Sequence, residues 1–156
     1  MKAASLKELK SELSLLPASQ VLDMMMQLTK HSKDNKELLT YLLFHALDQP
    51  QYIKEVKESM DAQFAEINMF TLYTIKKSLR KILRLTNKYI KYTSNKQVEV
   101  ELLIYFCRSV KKLGVPLPEH AALGKLYLRQ IQKITTAVST LHEDLQFDYS
   151  LELEEL

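Results

Sequence analysis

Residues 71–93 read TLYTIKKSLRKILRLTNKYIKYT. Placed on a helix at about 100° per residue, Leu72, Ile75, Leu79, Ile82, Leu83 and Ile90 gather on one side. Lys77, Lys81, Arg84, Lys88 and Lys91 form a narrow stripe on the other, and Lys76 and Arg80 widen that stripe along one edge. Apolar and charged faces set opposite each other are the pattern of a helix packed on a core. The segment therefore predicts a long helix with one buried side and one side of pure positive charge.

Outward from this stretch the chain keeps helical period. Prolines and Asn/Asp/Ser clusters cut it into segments, which predict further helices at about 6–15, 18–31, 34–48, 51–68, 95–113 and 119–145. Pro17 ends the first of these, because the residue before a proline avoids the helical region, and Ser19 is a candidate N-cap for the second. With two glycines, four prolines and 46% hydrophobic residues in 156 positions, the composition excludes collagen-like, low-complexity and turn-dense β chains. It is also sufficient to bury a core. The expected fold is all-α: six or seven helices forming a bundle or a short α-α superhelix. One domain is expected over residues 1–145, followed by an acidic C-terminal tail at 146–156.

Two segments are apolar nearly all round, Leu38 to Leu47 and Val100 to Val110, and are expected to be the central helices. Glu37-Leu38-Leu39-Thr40-Tyr41 and Glu101-Leu102-Leu103-Ile104-Tyr105 share four of five residues at a spacing of 64. Pro50 and Gly114 fall at the same spacing. This predicts a duplicated three-helix unit, helices two to four matching five to seven, unless leucine-rich sequence agrees here by chance. The pairing loosely resembles α-solenoid repeat proteins as a class, with no repeat signature of that class present and no functional residue implied.

The net charge of +3 hides a strong asymmetry. Residues 67–98 carry eight basic side chains and no acidic one, and residues 143–156 carry six acidic and no basic ones. A solvated helix face usually mixes signs, as Lys54, Glu55, Lys57 and Glu58 do. Like charges one turn apart repel by a few tenths of a kcal/mol per pair. A one-signed stripe is better explained by an anionic partner, with Lys76, Lys77, Arg80, Lys81, Arg84, Lys88 and Lys91 as the candidate partner-binding residues. From Lys77 to Lys91 the stripe is roughly 21 Å long, enough to follow several phosphates. Tyr73, Tyr89 and Tyr92 lie near the cations, as stacking on single-stranded bases would require, although Tyr89 and Tyr92 suit helix packing equally. No zinc finger, RNP motif or Gly-containing helix-turn-helix accompanies them.

In the tail, Phe147, Tyr149, Leu151 and Leu153 alternate with Asp148, Ser150, Glu152 and Glu154 in period two. Two readings stand: a disordered charged terminus, or a segment docked in an apolar groove with its carboxylates on the basic stripe.

Catalytic and metal chemistry find little support. His31, His45, His120 and His142 have no His or Glu partner at helical metal-pair spacing. His142-Glu143-Asp144 reads as a helix terminus. The single cysteine, Cys107, excludes a disulfide framework and sits in an apolar helix as an inert thiol. With Gly114 and Gly124 the only glycines, no phosphate-binding loop can form. Asp61 and Glu58, one turn apart, specify nothing alone. Met24-Met25-Met26 is either a soft partner surface or two core residues and an incidental third. No signal peptide and no membrane span are expected, so the expected location is cytoplasmic.

The reading is a non-enzymatic interaction module whose basic helix meets an acidic partner, protein slightly ahead of nucleic acid. The first alternative is a non-specific nucleic-acid binder using the same stripe. The second is an enzyme whose groups converge only in the fold. No cofactor or metal is expected, and the apolar stretches leave room for a homodimer interface.

Overall fold

The structure is a computed structural model that describes residues 1–119 and 121–156. His120, one of the four histidines considered above, lies outside the described residues. Among those residues there are eight α-helices and no strand. They are α1 Leu6–Ser14, α2 Ala18–His31, α3 Lys33–Thr40, α4 Gln49–Ala65, α5 Leu72–Thr93, α6 Lys96–Lys112, α7 Ala122–Val138 and α8 Glu143–Glu154, with a π-helical turn at Tyr41–His45. No helix is long and apolar enough to cross a membrane among the described residues. The chain forms two compact units, Met1–Phe44 and His45–Leu156.

In the first unit, α1 opens on a capping box. The Glu8 N–H donates to Ser5 Oγ, and the Ser5 N–H donates to the Glu8 carboxylate at 2.7 Å. Such reciprocal bonds satisfy donors that a helix start leaves orphaned. Ser32 caps α3 through the Asn35 N–H, and the Asn35 amide donates to Leu28 O at 2.7 Å, tying α3 to α2. Tyr41 is the one buried hydrophobic side chain of residues 1–44. Leu6, Leu22, Leu28, Leu43 and Phe44 are all more than half exposed. All three of Met24, Met25 and Met26 are exposed, so none is a core residue.

The second unit is organised around α6, which packs on α4, α5 and α7. Val100, Leu102, Leu103, Phe106, Cys107 and Val110 are fully buried. Each such large apolar side chain contributes about 1.5–3 kcal/mol on burial. Around α6 lie Val56 and Met60 of α4, Ile75, Leu79 and Ile82 of α5, and Ile134 and Ala137 of α7. Ser94 adopts φ 49° and Asn95 caps α6 through the Gln97 N–H at 2.9 Å. The left-handed residue reverses the chain between α5 and α6 in two positions. Gly114, at φ 65°, ends α6. Gly124 lets α7 start hard against the preceding loop, since a Cβ there would stand 2.6 Å from the Pro118 carbonyl carbon.

Three expectations need correction. The count is eight helices rather than six or seven, because the acidic tail is itself helical. α7 stops at Val138, and His142 starts α8 by accepting the Asp144 N–H on Nδ1 at 3.4 Å. The expected boundary between residues 145 and 146 falls inside α8. The tail's inward set is Leu145, Tyr149, Leu153 and Leu156, a helical spacing, with Tyr149 buried and Phe147 and Leu151 exposed. Second, α3 is not a central helix: it has no buried residue, while α6 has ten. All-round apolarity states that a helix gains from cover, but the cover must come from other segments. Third, the matched pentapeptides are not equivalent in place. Leu102 and Leu103 are fully buried, whereas Leu38 and Leu39 are only half-buried, which removes support for the duplication.

Candidate functional site

The sequence folds α5 as expected, and the fold displays its basic face. Thr71 and Thr74 cap the helix start, the Thr74 N–H donating to Thr71 Oγ1 at 3.1 Å. Ile75, Leu79, Ile82, Thr86 and Ile90 are buried within the second unit. That packing turns Lys77, Arg80, Lys81, Arg84 and Lys91 outward, all exposed, with Lys76 and Lys88 half-exposed. Among the described residues none of the five outward cations has a carboxylate at ion-pair distance. Lys77, Ser78, Arg80, Lys81 and Arg84 line a shallow depression of about 430 Å³. The first turn of α5 has no acidic residue, so the positive end of the helix dipole adds to Lys76 and Lys77.

Aromatic groups flank the stripe unequally. The Lys76 ammonium sits 5.8 Å from the Tyr73 ring centroid, and Tyr73 is 67% exposed. Lys88 lies 5.5 Å from the Tyr89 centroid. Tyr89 and Tyr92 are half-buried and meet edge to face, with centroids 6.2 Å apart. Tyr73 alone of the three is exposed.

Two of the tail's carboxylates, Glu152 and Glu155, are engaged away from α5. Arg108 of α6 holds Glu152 and Glu155, each at 3.0 Å, and Lys111 donates to Glu155 O at 2.9 Å. Tyr127 donates to Leu156 O at 2.8 Å, and Tyr149 to the Glu101 carboxylate at 3.3 Å. The tail thus docks on α6 and α7, not on α5. Arg108 carried no sequence signal, because its partners lie far along the chain.

Behind the stripe a polar junction joins three helices. Glu99, 9% exposed at its side chain, receives Lys96 at 2.7 Å and Lys133 at 3.1 Å, and Lys133 also donates to Asn87 Oδ1 at 2.7 Å. Burial raises the Glu99 pKa. The hydrogen bonds and charges of the two lysines outweigh it and hold the carboxyl below its ordinary value.

A hollow of about 610 Å³ between α4 and α6 is lined by Ile53, Lys57, Asp61, Val98 and Glu101 among others, with no His or Cys. Its charges are largely paired within the fold. Lys57 lies 3.7 Å from Glu101, and Tyr105 donates to both Asp61 oxygens at 2.6 and 2.7 Å. Burial, then Asp61, pushes the Tyr105 phenol up to about 12. Burial also raises the Cys107 thiol to about 12, which leaves no thiolate at neutral pH. Among the described residues no group of three His, Cys, Asp or Glu side chains is placed to hold a metal ion.

Comparison with protein-family models, curated proteins and solved structures gives no match for this chain.

Proposed function

We propose that this protein is a non-enzymatic interaction module that presents the basic face of α5 to an acidic protein partner. The observation that carries the reading is a set of five outward cations with no carboxylate at ion-pair distance among the described residues. Two carboxylates of the acidic tail, Glu152 and Glu155, are held on Arg108 instead. Among the described residues no carboxylate offsets the like-charge repulsion between these five cations, and an anionic surface laid on α5 relieves it. In this reading the helical array, whether bundle or short superhelix, is a scaffold for one displayed face, and the protein works in the cytoplasm. The exposed apolar side chains of residues 1–44 suit self-association, so a homodimer belongs to the same proposal.

A second reading, non-specific binding of single-stranded nucleic acid, draws on the length of the stripe and on exposed Tyr73. The test uses fluorescein-labelled polyglutamate and a single-stranded RNA of equal charge, titrated from low to physiological salt. Wild type is compared with a Lys77→Glu, Lys81→Glu, Arg84→Glu variant. Polyglutamate binding that weakens with salt and disappears in the variant supports the acidic-protein reading. Tighter RNA binding, with a salt slope that falls in the variant, supports the second. Binding of neither probe at low salt removes both.

A further inference from the structure

At the N-terminal end of the stripe the surface changes character. Tyr73 lies one turn ahead of Lys77 and about 40° from it, so it continues the row of cations. Beneath it, Leu72, Tyr73 and Lys76 of α5 face Pro116, Pro118 and Ala122 across a cleft of about 250 Å³. Leu72 is 58% exposed and Phe70 beside it 92%. Large apolar side chains left open around a cleft mark interaction sites more often than chance surface. The walls are nearly all carbon, so a base edge finds few hydrogen-bonding groups there, whereas an apolar side chain needs none. Lys76 belongs to both features, lining the cleft and widening the stripe.

The geometry points to a composite docking surface for an acidic protein segment that carries one large apolar side chain at the end lying over the start of α5. That side chain enters the cleft between Leu72, Tyr73, Pro116 and Pro118, while its carboxylates run along Lys77, Lys81 and Arg84. The assignment rests on the basic-face reading and adds the anchor to it. The cleft supplies what charge alone lacks, a fixed register and a direction along α5. On the loop side Pro116 and Pro118 each have a fixed φ, and Gly124 packs closely on Pro118, so these positions have little freedom to lose on binding.

The probes are labelled alanine-based helical peptides with glutamates along one face: one with Phe at the N-terminus, one with Phe at the C-terminus, and one with Ala in both places. One Phe peptide is expected to bind about tenfold tighter than the Ala peptide, or 1.4 kcal/mol. The advantage should vanish in Ala122→Trp, which fills the cleft and leaves every cation, and in Tyr73→Ala, both verified as folded by thermal melts. The triple Glu variant should lose all three peptides. Equal binding of the Phe and Ala peptides, still abolished by the triple variant, overturns the cleft and leaves the basic face standing. An advantage that survives both cleft variants also overturns it. Failure of every peptide to bind overturns the inference and the reading beneath it. Single-stranded RNA that outcompetes the Phe peptide at equal charge overturns the choice of a protein partner.

Discussion

Replacing Glu99 by Gln removes the charge at the junction of α5, α6 and α7 while keeping the side chain's shape. In the wild type the carboxylate meets Lys96 at 2.7 Å and Lys133 at 3.1 Å, and it is 9% exposed. Hydrogen bonds to charged groups contribute about 1.5–3 kcal/mol each when well shielded. Here the lysines are 58% and 42% exposed, so both ammoniums turn to water readily, and Lys133 keeps Asn87. Discounting for that exposure leaves an expected loss of about 1–2 kcal/mol, or roughly 2–8 °C in Tm for a chain of this size. The pH dependence gives the sharper check. The folded pKa of Glu99 lies below its unfolded value, so its stabilisation is complete above the unfolded value near 4.3. It is lost as pH falls through the lower folded value. Denaturant midpoints from pH 7 down to about pH 3 should show a gap between wild type and Glu99→Gln that is full near neutrality and narrows below about pH 4. A gap that is absent at pH 7, or that stays constant or widens on acidification, would refute the reasoning.

Other outcomes follow from the same structure. Gly124→Ala forces a methyl against the Pro118 carbonyl and Leu117 O, both backbone atoms. It should cost about 1–3 kcal/mol in urea unfolding despite alanine's better helix propensity. Cys107, fully buried with its thiol raised to about 12, should resist a disulfide reagent at pH 8 in the native state and react at once in guanidinium. Glu152→Gln with Glu155→Gln should change stability by about 1 kcal/mol or less, because the two carboxylates are 38% and 72% exposed. Polyglutamate affinity at physiological salt should stay within about twofold, since screening confines those charges to their own neighbourhood. A marked rise in affinity would mean that the tail does cover α5.

The helices were legible wherever one face had to be buried. In α5 the apolar residues and the cations separate cleanly, and burial of Ile75, Leu79 and Ile82 leaves the lysines and arginines only one direction to face. The tail misled because Phe147, Tyr149, Leu151 and Leu153 alternate, a strand period. The buried residue of that stretch, Tyr149, is chosen by α8's seat on α6 and α7, which local pattern does not encode. Leu38 to Leu47 misled in the opposite sense, since apolar content measures the gain from cover and not its supply. The cleft was illegible for a third reason. Its walls come from residues 72–76, 116–118 and 121–123, and each stretch alone reads as a helix start or a break.

The uneven distribution of buried side chains between the two units has a consequence on the clock. Amide protons in α6, walled in by Leu102, Leu103 and Phe106, should exchange with solvent deuterium only when the whole second unit opens. Those of α1 to α3 have one buried neighbour, Tyr41, to hold them, and local openings of small free energy release them. Deuterium uptake should therefore separate the chain near residue 45 into a slow body and a fast one, each exchanging on its own timescale.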